Sequence, residues 1–424
     1  MKFVADFHIH SRFARATSKA MTLENLDKWA AVKGIKVMGT GDFTHPVWFQ
    51  ELKEGLEEAE PGLYKLKALN RSEGLKGKET QTRFILSCEI SCIYSKKGAV
   101  RRVHLVLLAP SFAAVEKINT RLGWVGNLRS DGRPIIGIDA KEVAKIAFDA
   151  DPNCMVVPAH VWTPWFAVFG SKSGFNSLEE CFDEYTKYIF AIETGLSSDP
   201  AMNWRLSALD KISLISNSDS HSLEKIGREA NVFDTDMSYQ AILDTLKAKD
   251  PKRFLFTVEF FPEEGKYHYD GHRLCGVSMA PAESKKNNNL CPKCKKPLVI
   301  GVLNRVEELA DRPEGFKPEN AVPFKSLIPL EEIVADVLGV GVGTKRSREE
   351  YQKLIERFGN EFAVLLDASA SDLQSATLPE VAEGIKRVRE GRVVIDPGYD
   401  GEYGKIKIFP ENEPKIFNIQ KSLF

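Results

Sequence analysis

Histidine and acidic side chains follow one short apolar run after another in the first half of this 424-residue chain. Histidine and carboxylate ligands together suit borderline divalent ions such as zinc or manganese. Several of them converging would build a multi-metal hydrolytic site, in which bound ions activate water and neutralise developing charge. The candidate ligands are His8, His10, Asp42, His45, Glu89, His104, His160, Glu193, Asp219 and His221.

The spacing of two of these pairs suits a metal ion. His8 and His10 are two residues apart, so both side chains lie on the same side of a strand and can bind one ion. Asp219 and His221 repeat this spacing. Each residue taken alone could equally be a hydrogen-bonded core residue. Their joint position after apolar runs favours a metal site.

The apolar runs predict the elements that must position these ligands. Buried parallel strands are predicted at 3–7, 35–38, 84–86, 154–157, 188–192 and 213–215, and a hairpin at 84–94 and 100–108. Helices are predicted at 23–33, 46–59, 112–122, 140–150 and 239–249, and a loop is predicted at 65–81. This alternation is typical of an α/β barrel, whose parallel strands end on one face. Because we count nearer seven strands than eight, we expect a distorted seven-stranded (β/α) barrel over residues 1–255.

The chain changes character after the predicted barrel. Two ligand pairs, His272-x2-Cys275 and Cys291-x2-Cys294, are separated by fifteen residues and predict a closed structural zinc site within residues 256–312. His268 is the alternative to His272 as the fourth ligand. Nearby Lys285, Lys286, Lys293, Lys295 and Lys296 form either a solvated surface or a contact with phosphate groups. Helices are predicted at 329–337, 348–358, 361–368 and 379–390, so residues 325–424 are expected to form a helical domain.

Composition narrows the class of protein. The chain is 43% hydrophobic and 28% charged, with a formal net charge of −1, so any DNA-binding surface must be local. No apolar run approaches a membrane span. The first eight residues leave no room for a signal peptide, and seven cysteines in this length do not resemble a secreted disulfide framework. We therefore expect a cytoplasmic protein of two or three domains with no membrane partner.

The order of the candidate ligands resembles the polymerase and histidinol phosphatase (PHP) family of metal-dependent phosphoesterases. The resemblance implies a first ion held by His8, His10, Glu89 and Asp219. It implies a second ion bridged by Glu89 and held by His104 and His160, and a third served by His221 with Asp42 or His45. The expected ions are Zn²⁺, with Mg²⁺ or Mn²⁺ also open for this catalytic cluster.

Catalytic roles follow from the same resemblance. Residues expected to take part in catalysis are Glu193, Asp219 and Arg15. Glu193 matches the acidic position of the strand before the last. Arg15 stands where many family members carry another ligand, and an arginine there could hold phosphate as a charge clamp.

The whole chain also resembles one PHP subgroup, endonuclease Q, through residues 169–175, 192–200, 202–205, 215–221, 305–312 and 397–404 and the cysteine-rich segment. That resemblance implies a DNA repair endonuclease that cuts on the 5′ side of deaminated bases (uracil, hypoxanthine or xanthine) or abasic sites. It also implies a helical C-terminal domain that helps to hold DNA.

An enzyme that selects a damaged base must unstack and enclose it, which calls for aromatic and polar side chains. The candidates for base or DNA contact are Trp162, Trp165, Phe166, Ser171, Lys172, Asn203 and Trp204. Packing of these aromatic residues on the barrel rim is the alternative.

Two other functions are compatible with the sequence: a PHP-family phosphatase of small molecules, and a non-catalytic DNA-binding protein. The zinc segment and the helical tail argue against the first, because a small substrate needs no extended surface. The nearly complete ligand set argues against the second.

The C-terminus predicts a contact with the replication sliding clamp. Gln420, Leu423 and Phe424 match the start of a clamp-binding peptide, although only one aromatic residue is present. We expect the full chain to retain the clamp in a pull-down and a chain ending at Asn418 to lose it. Equal retention by both chains would exclude this role for the tail.

Overall fold

The structure is a computed structural model that describes residues 1–68 and 82–410. Its strands are β1 Lys2–Asp6, β2 Val37–Gly39, β3 Leu56–Glu60, β4 Leu63–Leu66, β5 Arg83–Lys96, β6 Ala99–Ala109, β7 Ile135–Ile136, β8 Met155–Pro158, β9 Ala191–Glu193, β10 Ser213–Ile215, β11 Ala230–Asp234, β12 Phe254–Glu259, β13 Asp270–His272, β14 Val277–Met279, β15 Phe324–Ser326, β16 Val394–Asp396 and β17 Lys405–Lys407.

Thirteen α-helices accompany these strands in the described ranges. They are α1 Leu23–Lys33, α2 Pro46–Gly55, α3 Phe112–Gly123, α4 Ala140–Ala150, α5 Leu178–Phe182, α6 Pro200–Asn203, α7 Tyr239–Ala248, α8 Pro281–Lys286, α9 Val302–Leu309, α10 Leu330–Leu338, α11 Lys345–Phe358, α12 Ala370–Ala376 and α13 Pro379–Arg389. None of the helices in residues 1–68 and 82–410 combines the length and apolar character needed to cross a bilayer.

The prediction of a mixed α/β fold is confirmed, with a central sheet to which the described residues contribute eleven strands. The order is β15-β12-β11-β1-β2-β5-β4-β3, with β6 and β7 on β5 and β8 on β6. The strands β1, β2 and β5 are parallel neighbours, as expected. The pairs β5–β6, β6–β8 and β1–β11 are antiparallel, so the sheet is not uniformly parallel.

The hairpin between β5 and β6 causes this reversal. Lys97 and Gly98 at its turn both have positive φ, the geometry that suits a two-residue turn between twisted antiparallel strands. Because β6 runs against β5 and β8 runs against β6, β8 has the same direction as β5. Residues that follow β8 therefore lie at the same edge as those that follow β1 and β2.

A separate parallel pair, β9 with β10, lies beside this edge. The amide of Val161, after β8, donates to the carbonyl of Glu193 at 3.1 Å. Ile9, after β1, forms a parallel bridge with Ser220, after β10. The segments that follow β8, β9, β10 and β1 are thus neighbours, which brings candidate ligands from distant parts of the chain together.

Local signals explain the helix boundaries. The hydroxyl of Thr22 caps α1, and Gly34, with φ 91°, ends that helix in the left-handed conformation. Pro46 opens α2, but this helix ends at Gly55 rather than at residue 59 as expected, because the chain continues into β3 and pairs with β4. The predicted helix at 361–368 is a π-helix over Ala363–Asp367.

The later segments pack onto the same sheet. The strand β12 crosses residue 255, the predicted end of the barrel, and pairs with β15. The predicted helices near 329–337, 348–358 and 379–390 correspond to α10, α11 and α13. The predicted loop at 65–81 lies mostly outside the described residues, as do Gln420, Leu423 and Phe424 of the predicted clamp-binding tail.

A buried ion pair joins α1 to the C-terminal helices. Lys33 Nζ lies 2.7 Å from Glu361 Oε2, and both side chains are almost fully buried. The two carboxylate oxygens of Glu361 also accept hydrogen bonds from the amide of Leu330 at 3.0 Å and the hydroxyl of Tyr351 at 2.8 Å.

We expect Glu361→Ala to lower the free energy of unfolding by about 3–5 kcal/mol, because it leaves the Lys33 ammonium buried without its partner. Urea denaturation would measure the loss. The control is Asp149→Ala, which removes a partner of Lys145 from a pair that is 40% exposed on both sides and should leave the midpoint almost unchanged. Equal losses in the two variants would contradict the role given to the buried pair.

Candidate metal centre

The candidate ligands reach the site from several strands. His8 and His10 follow β1, His160 follows β8, and Asp219 follows β10. Glu89 and His104 instead lie within β5 and β6, so they are not at strand ends as the sequence suggested. On this hairpin, His104 stands directly opposite Ser91, two residues beyond Glu89.

The backbone at three site residues is held in an unusual conformation. Asp42, His160 and Asp219 have φ values of 50°, 30° and 46°. Such conformations cost energy in residues other than glycine and persist where surrounding contacts fix them, often at functional sites.

The first ligand group consists of His8, His10, Glu89 and Asp219, whose donor atoms all lie within 4.8 Å of one another. His10 Nε2 lies 3.2 Å from Glu89 Oε2 and 3.1 Å from Asp219 Oδ1. His8 Nε2 lies 3.6 Å from each of the same two oxygens. His8 Nε2, His10 Nε2 and Asp219 Oδ1 are buried without a hydrogen-bond partner among the described residues.

The second ligand group consists of Glu89, His104 and His160. Glu89 Oε1 lies 2.6 Å from His104 Nδ1 and 3.1 Å from His160 Nε2. Glu89 therefore belongs to both groups and turns one carboxylate oxygen toward each. This arrangement could hold two ions on either side of one bridging carboxylate.

The outer ring nitrogen of every histidine in these groups has a fixed partner. His8 Nδ1 lies 3.0 Å from Glu193, and His10 Nδ1 lies 2.9 Å from Asp42. His104 Nε2 meets the Ser91 hydroxyl at 3.1 Å, and His160 Nδ1 meets the Thr163 hydroxyl at 3.2 Å. Partners of this kind fix ring orientation and tautomer in metal sites. The residues present thus fit a metal centre.

The charged side chains in and around the two ligand groups shift one another's pKa values. Burial opposes the charged form of His8, but Glu193 and the other nearby carboxylates outweigh it and raise the pKa of His8 well above its ordinary value. For His10, burial again opposes the charged form, but Asp42 and the neighbouring carboxylates outweigh it, so the pKa of His10 is also raised. Burial disfavours a charged Glu89, yet His104 and Arg133 hold the pKa of Glu89 well below its usual range.

Several predicted ligands lie outside both groups. Glu193 contacts His8 and the amide of His160 and so positions ligands rather than joining them. Asp42 accepts hydrogen bonds from Ser11 and orients His10. His45 caps α2 and stacks on Phe13 at 4.3 Å, while His221 contacts the carbonyl oxygen of Asp219. Among the described residues, none of these four side chains joins a group of three ligand atoms within 4.8 Å, so the third ion stays a prediction.

Arg15 is not at the ligand groups. Its side chain is 80% exposed and lies 3.7 Å from Asp131. An arginine that does contact a ligand carboxylate is Arg133, whose Nη1 donates to Glu89 Oε2 at 3.0 Å. Sequence reasoning missed Arg133 because it lies on an irregular loop, where no spacing pattern indicates a contact with a distant strand.

The predicted base-contacting residues divide into two sets. Trp162, Asn203 and Trp204 are buried, and the Trp162 indole donates to Asn203 Oδ1 at 2.8 Å. These three residues therefore pack inside the protein and do not form the wall of an open pocket. Trp165, Ser171 and Lys172 are exposed, and the partly buried Phe166 packs on the His104 ring at 4.6 Å.

A third group, the cysteine group, consists of His272, Cys275, Cys291 and Cys294. His272 Nδ1 lies 3.9 Å from Cys294 Sγ. The alternative ligand, His268, is outside this group and is buried beside Tyr269. The residues around the group form a small separate core of Val277, Met279, Cys291 and Leu298.

The mixed α/β fold and these three groups describe a protein whose side chains could hold metal ions. A family model described as the MJ0043 C-terminal domain matches residues 329–392. The uncharacterized protein MJ0043 of Methanocaldococcus jannaschii is 32% identical over 311 residues, which cover 70% of this chain and 38% of that protein. The uncharacterized protein YqxK of Bacillus subtilis is 30% identical over 417 residues, which cover 96% of this chain and 99% of that protein.

Two solved structures are similar over nearly the whole chain. The lesion-specific endonuclease PfuEndoQ from Pyrococcus furiosus has a TM-score of 0.84 and 30% identity, covering 97% of this chain and 96% of that one. Endonuclease Q in complex with a 27-mer duplex that carries an abasic lesion at the active site has a TM-score of 0.82 and 31% identity, with 97% of both chains covered. The chain belongs to the endonuclease Q family.

The raised pKa values predict that cation binding competes with protons. Because the surrounding carboxylates raise the pKa of His8 and His10 and so favour their protonated forms in the ion-free protein, a cation must compete with protons for both rings. We therefore expect Mn²⁺ affinity to rise as pH increases from 6.5 to 8.5, with protons released. Calorimetry in buffers of different ionisation enthalpy would count the released protons, with the cysteine group already loaded with zinc.

The control is His45→Ala, a histidine outside the ligand groups, which should leave the proton count unchanged. An affinity that is constant across this pH range would contradict the assignment of His8 and His10 as ligands.

Proposed function

We propose that this chain is a metal-dependent DNA repair endonuclease that hydrolyses the phosphodiester on the 5′ side of a deaminated base or an abasic site. The observation that carries the proposal is Glu89, a fully buried carboxylate shared by two groups of ligands. The bases we expect it to recognise are uracil, hypoxanthine and xanthine. Its likeness to a lesion-specific endonuclease over 97% of the chain supports this substrate class.

The chemistry assigned to the site follows from its ligands. When bound, divalent ions at the two groups would supply a hydroxide nucleophile near neutral pH and stabilise charge on the attacking and leaving oxygens. Glu193 and Asp42 hold His8 and His10 in the orientation that directs both Nε2 atoms toward Glu89 and Asp219. Nitrogen and oxygen donors suit zinc or manganese, and magnesium is also compatible with the carboxylates.

The surroundings of the ligand groups support a large substrate. Phe166 covers the His104 ring, and the exposed Trp165, Ser171 and Lys172 lie on the same loop. We assign these four residues to contact with the extruded nucleotide. The Trp165 ring also meets Tyr267 edge-on at 5.6 Å, which links this loop to the segment that precedes the cysteine group.

The division into domains is part of the proposal. We assign residues 1–255 to a PHP-type barrel, 256–312 to a zinc-binding module and 325–424 to a helical domain that helps to hold DNA. The separate core around the cysteine group supports the module, because a core of this size needs a metal to be stable. The strand β12 continues across the first boundary, so the barrel and module share an element.

A nicking assay tests the function. Labelled duplexes with one uracil, hypoxanthine or abasic site, and an undamaged duplex, are incubated with Mg²⁺, Mn²⁺ or Zn²⁺ beside a phosphomonoester. We expect a single cut 5′ to each lesion. Glu89→Gln should slow it by about 10³-fold, because both ligand groups lose a shared oxygen charge, and Glu193→Gln by about 10–100-fold.

Asp149→Ala, on the exposed face of α4, serves as the control and should cut at the wild-type rate. Phosphate release from the monoester without nicking would favour a small-molecule phosphatase. Binding to duplexes without either reaction would favour a non-catalytic DNA-binding protein.

A further inference from the structure

One cationic side chain contacts the carboxylate that the two ligand groups share. Arg133 Nη1 donates to Glu89 Oε2 at 3.0 Å. Among residues 1–68 and 82–410, it is the one arginine or lysine that forms an ion pair with a carboxylate of either group. Glu89 keeps this guanidinium charged by raising the pKa of Arg133 further above its ordinary value, although burial opposes the charge.

The loop that carries Arg133 is fixed on both sides of it. Asp131 Oδ1 accepts hydrogen bonds from the amides of Arg133 at 3.1 Å and Arg15 at 3.0 Å. The amide of Gly132 donates to the carbonyl of Phe13, and that of Ser91 donates to the carbonyl of Pro134. These contacts tie the loop to the segment after β1 and to β5, so Arg133 is positioned by the same elements that position His10 and Glu89.

Gly132 lets the loop approach the site this closely. A Cβ atom at this position would collide with the Asp42 carboxylate and lie 2.8 Å from the amide nitrogen of Ala14. Any side chain here would therefore push the loop, and Arg133 with it, away from Glu89.

The Arg133 guanidinium has N–H groups that donate no hydrogen bond within the described residues. Its bond to Glu89 is the one side-chain hydrogen bond that it forms within the described parts of the chain, and its side chain is 28% exposed. A guanidinium carries five N–H donors in a planar fork that matches the geometry of phosphate. Arg133 is thus anchored to Glu89 and keeps N–H donors that could bind a ligand.

We propose that Arg133 is a catalytic residue that binds a non-bridging oxygen of the phosphate to be cut. This inference rests on the proposed function and names a residue that contacts its substrate. A DNA phosphate that approaches Glu89 and Asp219 meets negative charge, and the guanidinium held against Glu89 offsets it. The role that Arg15 was expected to fill therefore falls to Arg133.

A purely structural role for Arg133 predicts a different experimental result. If Arg133 served only to neutralise Glu89, its loss would alter stability or cation affinity without changing how the protein responds to the charge of the phosphate. The experiment must therefore change the phosphate and the arginine separately and together.

The probe is an abasic duplex whose phosphate 5′ to the lesion is either native or an uncharged methylphosphonate. Binding is measured with the cysteine group loaded with zinc and no further divalent ion added, so that no cleavage occurs, for wild type, Arg133→Gln, Arg133→Lys and the control Arg121→Gln. Arg121 is a half-exposed arginine on α3 that is paired with Asp149. We expect the methylphosphonate to weaken wild-type binding by about tenfold, because a charge-assisted hydrogen bond is lost.

Replacing the phosphate with the methylphosphonate should have almost no effect on binding by Arg133→Gln. It should have an intermediate effect on binding by Arg133→Lys and the wild-type effect on binding by Arg121→Gln. With Mn²⁺, single-turnover nicking of the native duplex should fall about 10²-fold in Arg133→Gln. An unchanged tenfold loss in Arg133→Gln would overturn this inference while the proposed function stands. A wild-type protein that nicks no lesion would overturn the proposed function itself.

Discussion

Glu89 is the constraint on which the rest of the site depends. A carboxylate in a strand interior, with no solvent exposure, is costly unless charged or hydrogen-bonding partners surround it. Here four histidines and Arg133 all lie within 4 Å of its two oxygens. Removing any partner leaves charge uncompensated, so each surrounding element must keep its place.

The antiparallel hairpin makes this concentration of ligands possible. A purely parallel barrel would offer ligands mainly at strand ends, as the sequence suggested. The tight turn at Lys97 and Gly98 instead folds β6 back along β5, which places His104 across from Ser91 and within 2.6 Å of Glu89. Because β8 then returns in the original direction, His160 reaches the same carboxylate oxygen from the edge of the sheet.

The sequence predicted the parts of the site that depend on local pattern. The His8-x-His10 spacing, the apolar strands before Asp219 and the two cysteine pairs all indicated groups that the structure brings together. Contacts that depend on tertiary packing could not be predicted from the sequence. Arg133 has no local signature, and Trp162 followed a candidate ligand in a loop, which suggested a pocket wall although its ring is buried against Phe169. The strands β11, β12 and β15 were also missed, because their pairing is non-local.

The cysteine group and the ligand groups are connected through a chain of buried contacts. Asp270, on the same strand as His272, accepts hydrogen bonds from the amide of Gly301 at 2.7 Å and the side chain of Asn304 at 2.6 Å at the start of α9. The next residue of α9, Arg305, donates to the carbonyl oxygens of Phe169 and Phe175, both at 3.1 Å.

Those carbonyls belong to the loop that follows His160 and carries Phe166 against His104. The small core around the cysteine group is too limited to hold this segment by apolar burial alone. A metal that fixes the four cysteine-group ligands would therefore also fix α9 and, through Arg305, the loop over the second ligand group. In this arrangement a structural ion would stabilise the wall of the second ligand group without contributing a ligand to it.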